Sequence, residues 1–374
     1  MRFAFSMIWY DRARFIPAVL AVAMSGVLIS LQLGMLLGVV TVASAGVDHS
    51  RAEIWLTYPG TRSVDMGMPV PLDWRATLAM QPEVVRTEEA LIAYMPWKQP
   101  GVGVEMCALV GSRLDPGALG AITELTPELR ARLAEPGTVV LDAGDCALVG
   151  IYRPGETFEL AGHRIKVVGF VRGLKGLLAV YMFCSLDTAR IVLSAAGLQA
   201  NQTNYVVARC RRPGDARRVV ERLRGDRNHT IFTAAEFSFQ TRKQWLTRSN
   251  GGLTFLYAAL LGLLVGAVVT TQTMSAAIAA ALREWAILEA VGLPGWCMRR
   301  LDISQSFIDG VLGVVVALPS AYVLSWFLSW LGTSVLLPVW LAAGSAGVVL
   351  LVAILSGLLS FRALRLAEPA ILLH

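Results

Sequence analysis

Apolar and polar segments alternate along this chain, and three long stretches contain no charged residue. These stretches are residues 15–47, 249–282 and 310–361. A helix of about 20 apolar residues crosses the hydrocarbon core of a bilayer, so each stretch is long enough to span a membrane. The last one fits two helices better than one, because Gly332 and Pro338 interrupt it. The pattern therefore predicts four transmembrane helices.

We expect the four spans at residues 15–42, 250–275, 303–331 and 338–361. Ala43, Ser44 and Ala45, at the end of span 1, resemble a signal-peptidase site. A signal peptide, however, has an apolar core of only about 7 to 15 residues, and span 1 is much longer. Span 1 is therefore predicted to stay in the protein as an uncleaved anchor.

Charged residues are concentrated between spans 1 and 2. Residues 46–248 hold 25 of the 33 basic and 21 of the 27 acidic residues. Most other basic residues flank the apolar runs, where positive charge marks the cytosolic side of a membrane. We therefore expect cytosolic termini at 1–14 and 362–374 and an external domain at 43–248. With 55% hydrophobic and 16% charged residues, the composition excludes an ordinary soluble enzyme, a disordered chain and a nucleic-acid partner.

The external domain has two strand-helix-strand halves separated by a long segment. Alternating apolar positions predict strands at 53–58, within 83–94, at 205–209 and at 230–233, with helices at 72–80 and 215–224. Two such halves are typical of a ferredoxin-like α+β domain, here split between 52–100 and 200–235. The intervening residues 103–199 are predicted to form a β-rich insert with its own small lobe, including a hairpin that turns at Ala161 and Gly162. Residues 236–249 contain no Gly or Pro and are expected to form a helical stalk.

No catalytic constellation is present in the sequence. It contains no HExxH metal motif, no phosphate loop ending in GK[ST] and no GxSxG nucleophile elbow, so we expect no catalytic residue and no metal site. Four cysteines lie in the external domain, at Cys107, Cys146, Cys184 and Cys210. An oxidising compartment would allow them to form disulfides in three pairings, and buried free thiols are the alternative.

A cluster of arginines marks the helix predicted at 215–224 and the residues before it. We single out Arg211, Arg212, Arg217, Arg218 and Arg222. Clustered cations attract an acidic partner or lipid headgroups, which makes this face a candidate docking surface. The alternative is a solvated helix face without a specific partner.

Small residues at helical spacing occur in spans 1 and 2. Gly34 and Gly38, and likewise Gly262 and Gly266, have the GxxxG spacing that lets helix backbones approach closely. We expect them to pack spans 1 and 2 of neighbouring copies together, with Gln32 bonding across that contact. Background glycine is the alternative, since glycine is common in membrane helices.

One carboxylate, Asp309, lies about two turns inside span 3. An unpaired charge at the centre of a bilayer costs about 2.5 to 3.5 kcal/mol on insertion scales. We expect Asp309 to lie close enough to the cytosolic surface for its side chain to reach the interface. A proton relay would need a second buried ionisable partner, and the sequence offers none.

The loop between spans 2 and 3, residues 281–301, is predicted to be cytosolic and to contain a short amphipathic helix that ends at Gly292 and Pro294. Its apolar positions recur at helical spacing among three charged ones: Trp285, Ile287, Leu288 and Val291 alternate with Arg283, Glu284 and Glu289. Such a helix lies on lipid or in a protein groove. A single cation beside two glutamates favours the protein groove.

The segment REWAILEAVG at 283–292 resembles the cytosolic coupling helix of FtsX-like ABC transporter permeases. The tail RALRLAEPAI at 362–371 is similar to the usual end of that family. The order of elements also matches, and the whole is most similar to the DevC-like permeases, which lack a fused ATPase. The resemblance is thus to a MacB-type, or type VII, permease.

This resemblance implies a fold, partners and a function. The fold is an α-helical membrane protein with four transmembrane helices and a periplasmic α+β domain between the first two. The implied partners are a separate ABC ATPase, which binds ATP and Mg²⁺, a second permease copy, a HlyD-like adaptor and a TolC-like outer-membrane channel. The chain would carry no cofactor, lie in the bacterial inner membrane and drive export of lipidic or amphiphilic cargo by mechanotransmission. The alternatives are a signal transducer that activates a cell-wall hydrolase and a lipoprotein-release permease.

Overall fold

The computed structural model describes residues 12–99, 103–175, 179–248, 250–280, 295–330 and 335–366. The chain divides into two compact units. The helical unit comprises Met1–Leu37 and Thr254–His374, and the sheet unit comprises Gly38–Leu253.

The described residues form the following helices in chain order: α1 (Arg12–Ala43), α2 (Ala45–Asp48), α3 (Trp74–Ala79), α4 (Pro127–Leu133), α5 (Cys146–Val149), α6 (Leu186–Ala195), α7 (Asp215–Leu223), α8 (Ala234–Arg248), α9 (Asn250–Ala280), α10 (Gly295–Trp330) and α11 (Val339–Leu366). The strands are β1 (Ile54–Thr57), β2 (Val70–Pro71), β3 (Val84–Gln99), β4 (Gly103–Ser112), β5 (Thr138–Asp142), β6 (Thr157–Leu160), β7 (His163–Val171), β8 (Val180–Ser185), β9 (Gln202–Thr203), β10 (Tyr205–Cys210) and β11 (Thr230–Thr233).

Among the described residues, four helices are long and apolar enough to cross a membrane. The candidate spans are Ile16–Ala43, Leu256–Ala276, Ile303–Ser329 and Val339–Leu358. They belong to α1, α9, α10 and α11, and the α/β domain lies between the first and the second of them in the chain. The predicted fold class, with four spans and an α/β domain after the first, is therefore confirmed.

Small residues bring the helices of the helical unit close together. A Cβ atom built on Gly313 of α10 would lie 2.4 Å from Cγ1 of Val22 in α1. One built on Gly26 of α1 would lie 2.8 Å from the Cβ of Ala317. Real Cβ atoms do not come this close, so only glycine permits α1 and α10 to pack at this separation.

The described part of the sheet unit has nine strands in one sheet, ordered β11-β1-β10-β3-β4-β8-β5-β7-β6. The first four are all antiparallel and have the order of a ferredoxin-like domain. Each half has one helix between its two strands, α3 between β1 and β3 and α7 between β10 and β11, and the two helices share one hydrophobic cluster, to which Leu78 and Val219 contribute. The split ferredoxin-like part is therefore confirmed.

The β-rich insert is not a separate lobe, which corrects the expectation from the sequence. β3 is 16 residues long and belongs to both parts, since it pairs with β10 through Val84–Ala90 and with β4 through Leu91–Gln99. The remaining strands extend the same sheet, with parallel pairs between β4 and β8 and between β5 and β7. Insert and ferredoxin-like part are joined by continuous backbone hydrogen bonding.

The two faces of this sheet are packed differently. One face has a single core that runs under both parts, with Trp55, Ile92, Tyr181, Tyr205 and Phe237 among its members. The opposite face has two cores, one under the insert and one under the ferredoxin-like part. Side chains alternate between the faces of a strand, so neighbouring residues of β3 enter different cores.

The hairpin predicted in the insert is present. β6 and β7 pair from Leu160 and His163 outward, which leaves the two residues Ala161 and Gly162 in the turn. Both have positive φ, at 50° and 80°. This is the backbone of a two-residue turn whose twist matches the flanking strands.

The cysteines of the sheet unit are free thiols, as one of the two interpretations predicted. Cys107, Cys184 and Cys210 are buried, and Cys146 is half-buried. Burial raises the pKa of Cys107 to about 12 and that of Cys210 to about 11. These thiols are therefore poor nucleophiles at neutral pH.

Candidate functional site

The segment with the strongest sequence prediction lies outside the described residues. Residues 281–294 contain the predicted coupling helix with Arg283, Glu284, Trp285, Ile287, Leu288, Glu289, Val291 and Gly292. Its role in binding an ATPase stays a prediction. The structure instead resolves the other end of the two spans, where the chain enters and leaves the sheet unit.

The candidate site is a joint within the sheet unit, built from three segments. They are the last residues of α1 from 38 to 43, the short helix α2, and the helix α8, which precedes the second candidate span. Val47 of α2 and Phe237 of α8 are buried in the core that runs under the whole sheet. The joint is therefore packed against the face that both parts of the sheet share.

An ion pair connects α8 to α2. Nη2 of Arg242 donates to Oδ2 of Asp48 at 2.6 Å, and Nε of Arg242 donates to Oγ of Ser44 at 2.8 Å. Ser44 in turn donates to the same Asp48 oxygen at 2.6 Å. Burial alone would raise the pKa of Asp48, but hydrogen bonds from Ser238, Ser44 and Arg242 outweigh it and lower the pKa below its ordinary value of 3.8. Asp48 is therefore ionised at neutral pH.

A pair of tyrosines holds the end of α1. The hydroxyl of Tyr181 in β8 donates to the carbonyl of Val42 at 3.0 Å, and the hydroxyl of Tyr94 in β3 lies 2.8 Å from that of Tyr181. The last four carbonyls of a helix lack a donor within the helix, so Tyr181 supplies a bond that α1 cannot make itself. Burial raises the pKa of Tyr181 to about 12, so this hydroxyl stays protonated and able to donate.

A third contact holds α8 to the loop between β1 and β2. The backbone N–H of Val64 donates to Oγ1 of Thr241 at 3.1 Å, and Nε1 of Trp245 donates to Oδ1 of Asp65 at 3.1 Å. The hydroxyl of Tyr205 in β10 donates to the carbonyl of Val64 at 2.8 Å. A displacement of α8 must therefore either break these bonds or move the strands with it.

The arginines singled out in the sequence are partly engaged within the chain. Arg222 donates twice to Glu83, at 2.6 and 3.1 Å, and these bonds lower the pKa of Glu83 to about 2. Two others pair on the surface of α7, Arg217 with Glu221 at 3.0 Å and Arg218 with Asp215 at 3.3 Å. Arg211 and Arg212 are exposed and make no ion pair within the described residues. Docking of a partner to this face stays a prediction.

Three of the four glycines with GxxxG spacing lie at close contacts inside one chain. Cβ atoms built on Gly262 and Gly266 would lie 3.1 Å from Cγ of Gln32 and 3.2 Å from Cβ of Ser25, both in α1. One built on Gly34 would lie 3.0 Å from Cγ1 of Val335, and Gly38 is buried in α1. These contacts join α1 to α9 and to the segment before α11 in the same chain. The expected contact with a neighbouring copy stays a prediction.

Hydroxyl groups that were not predicted from the sequence join the same helices. Ser25 donates to the carbonyl of Gly266 at 3.0 Å and lies 3.1 Å from Oγ1 of Thr270. Ser30 donates to Ser345 at 3.0 Å. Each of these hydrogen bonds links α1 to another helix. In the sequence, only the presence of small polar residues within otherwise apolar spans could have indicated them.

The expectation for Asp309 is wrong. Its side chain is fully buried among the helices of the helical unit, so it does not extend to a surface. A neighbour explains part of the burial, since a Cβ on Gly310 would lie 3.0 Å from Cδ2 of Leu350 in α11. α10 and α11 therefore pack closely at the residue next to this carboxylate.

No metal centre is formed by the part of the chain that the structure describes, where no three His, Cys, Asp or Glu side chains converge.

The C-terminal part of the chain matches a known protein family. Residues 256–369 match the family model "FtsX-like permease C-terminal". The resemblance stated from the sequence is thereby confirmed over this segment. No curated protein matches the chain.

Two solved structures are similar to about half of this chain. The periplasmic region of MacB from Actinobacillus actinomycetemcomitans is 14% identical, with a TM-score of 0.33, covering 55% of this chain and 97% of that one. The extracellular domain of the noncanonic ABC-type transporter YknZ from Gram-positive bacteria is 12% identical, with a TM-score of 0.32, covering 48% and 98%.

Proposed function

We propose that this chain, whose C-terminal segment is that of an FtsX-like permease, is the membrane subunit of an ABC exporter in the bacterial inner membrane. A separate ATPase subunit would bind and hydrolyse ATP, with Mg²⁺, and engage the predicted coupling helix at 283–292. The permease itself carries out no chemical step. It converts the movement of its spans into movement of the periplasmic domain.

The observation that carries this proposal is the joint of α1, α2 and α8. Arg242 of α8, the helix that precedes span 2, is bonded to Asp48 of α2 and to Ser44, which lies between α1 and α2. Both are also bonded to the sheet, through Tyr181 and through the loop at Val64. Buried, hydrogen-bonded contacts transmit displacement because close-packed interiors deform little.

The joint contacts the core that runs under both parts of the sheet, so a displacement of α8 reaches the insert as well as the ferredoxin-like part. We propose that this is how closure of the ATPase subunits in the cytosol changes the shape of the periplasmic domain. A second copy of the permease would pair with the first, and a HlyD-like adaptor and TolC-like channel would receive lipidic or amphiphilic cargo. This arrangement is the DevC-like one.

The test is capture of a soluble ATPase by the full chain purified from its own membrane. Leu288→Asp and Val291→Asp each place a charge on the apolar face of the coupling helix, and we expect both to abolish capture. Arg283→Gln serves as the matched control, because it changes the polar face and is expected to weaken capture only partly. Undiminished capture and ATPase stimulation by both aspartate variants would refute the proposal.

A second measurement separates export from signalling. Cross-linking of the full chain in membranes should recover a periplasmic adaptor if the complex exports cargo. Recovery of a cell-wall hydrolase would favour the signal transducer, and accumulation of lipoproteins on depletion would favour the lipoprotein-release permease.

A further inference from the structure

A groove of about 690 Å³ lies in the sheet unit between Arg51 and helix α4. Its wall is apolar over most of its length and includes Leu114, Pro116, Leu125, Pro127, Ala131 and Ala134. Two guanidinium groups, those of Arg51 and Arg130, also line it. The volume lies within the range of about 300 to 1,000 Å³ that is usual for small-molecule sites.

Backbone carbonyls hold both arginines in place. Arg130 donates from Nε to the carbonyl of Leu125 at 3.0 Å and from Nη1 to that of Asp115 at 2.8 Å. Arg51 donates from Nη1 to the carbonyl of Pro116 at 2.6 Å. Burial and the nearby charge of Arg51 lower the pKa of Arg130, and together they outweigh the charge of Asp115, which raises it. The groove therefore holds two cations in fixed positions without a carboxylate to fix them.

The nearest carboxylates are engaged elsewhere. The Asp115 side chain pairs with Arg86. Glu124, which also lines the groove, lies 2.5 Å from Nδ1 of His49 and accepts a bond from Thr123 at 3.2 Å. Within the described residues, no carboxylate lies within ion-pair distance of Arg51 or Arg130. Each guanidinium has five N–H donors, so several of them are left for an anion.

The groove is attached to the segment that leaves span 1. The N–H of Arg51 donates to the carbonyl of Leu119, and the N–H of Thr123 donates to that of His49, both at 2.9 Å. Arg51 follows Ala43, the end of the first candidate span, by eight residues. Eight extended residues reach at most about 28 Å, so Arg51 lies no farther than that from the end of the first candidate span.

We propose that this groove binds an anionic amphiphile taken from the membrane, with its acidic headgroup on Arg51 and Arg130 and its acyl chain along the apolar wall. The inference rests on the proposed function, which it deepens by naming the charge of the lipidic ligand and its place in the chain. Paired guanidinium groups suit a phosphate or carboxylate, since their donors match two oxygens of one anion. The adjoining apolar wall suits the acyl chain.

Photo-cross-linking of the full chain in nanodiscs of phosphatidylcholine tests the proposal. The probe is a lysophosphatidylglycerol with a diazirine in its acyl chain, and the comparison probe is the matching lysophosphatidylcholine. We expect the anionic probe to label peptides within 114–134. Arg51→Gln with Arg130→Gln should reduce this labelling by about tenfold or more, since one charged hydrogen bond corresponds to about one power of ten.

Two variants control for loss of structure. Arg113→Gln removes a neighbouring cation that does not line the groove, and it should leave labelling unchanged. Arg51→Lys keeps the charge and should retain more labelling than Arg51→Gln. Labelling of the spans by the same probe reports whether the protein remains intact.

Several outcomes would overturn the proposal. The first is that the lysophosphatidylcholine probe labels residues 114–134 as strongly as the anionic probe does. The second is that Arg51→Gln with Arg130→Gln leaves labelling by the anionic probe unchanged. The third is that free glycerol phosphate abolishes this labelling completely, which would indicate a site for free anions. Displacement of the probe by an acidic peptide but not by lipid would assign the groove to a protein partner. Capture of the ATPase, measured on the same preparations, tells the two proposals apart: intact capture without labelling rejects only the groove.

Discussion

The ion pair between Arg242 and Asp48 should control how firmly α8 is held to α2. Arg242→Gln removes two donated bonds and one charge from this contact. A hydrogen bond to a charged group contributes about 1.5 to 3 kcal/mol, whereas an exposed ion pair contributes about 0.2 to 1 kcal/mol. The two side chains are 39% and 29% exposed, so solvent screens the pair in part. We expect the local stability of the joint to fall by about 1 to 2 kcal/mol.

Hydrogen exchange of the full chain, detected by mass spectrometry, measures this loss of local stability at the joint itself. Amides of residues 44–50 exchange by local opening, so a loss of 1 to 2 kcal/mol should accelerate their exchange by about 5- to 30-fold. Amides of β5 and β7, which do not touch the joint, should be unaffected.

A double-mutant cycle separates the interaction from the loss of either side chain. Arg242→Gln, Asp48→Asn and the double variant should give a coupling energy of about 1 kcal/mol. Additive effects with no coupling would show that the contact does not hold α8, and would refute its place in the joint.

The same pair makes a pH prediction with a defined sign. Asp48 has a pKa below 3.8 in the folded protein, so its contribution to stability is fully present above that value. This stabilisation is lost as the pH falls from 3.8 through the lower pKa that Asp48 has in the folded protein. Asp48→Asn should therefore remove the part of the acid-induced fall in melting temperature that begins below about pH 4. An identical pH profile in the variant would contradict the assignment.

Two further predictions concern other contacts. Tyr181→Phe removes the donor to the last turn of α1 and a hydrogen-bond partner of Tyr94. It should lower the free energy of unfolding by about 1 to 2 kcal/mol, measured by thermal unfolding. An unchanged melting temperature would mean that water replaces the hydroxyl. Gly313→Leu places a side chain where a Cβ alone would lie 2.4 Å from Val22, and should destroy the monodisperse elution of the protein in detergent. Gly344→Leu is its matched control, because a Cβ there meets no atom within 4 Å.

Local patterns were sufficient to predict much of the fold. Alternating apolar residues located β1, β10 and β11, and the uncharged runs located four helices long enough to span a membrane. The ferredoxin-like order of the strands was predicted from two strand-helix-strand halves. A short helix between two strands of one sheet limits the ways in which those strands can be arranged. The hairpin at Ala161 followed from its turn residues.

Contacts between residues far apart in the chain could not be predicted in this way. Arg242 and Asp48 are separated by 194 residues, and neither lies in a motif. The parallel pairs of the insert have no turn signal, because the strands they join are not consecutive. Asp309 was misplaced for a similar reason, since its burial depends on how the helices of the helical unit pack and not on its position along span 3.

The length of β3 limits how this protein can be rebuilt. Because the ferredoxin-like part and the insert each use half of one strand, the insert cannot be excised or exchanged as a cassette without removing the outer half of β3. A shift of β3 by one residue would reverse the faces of both parts at once, because side chains alternate along a strand. Grafts between relatives should therefore be cut within loops such as 113–125 and 196–201, and should carry β3 and β4 together.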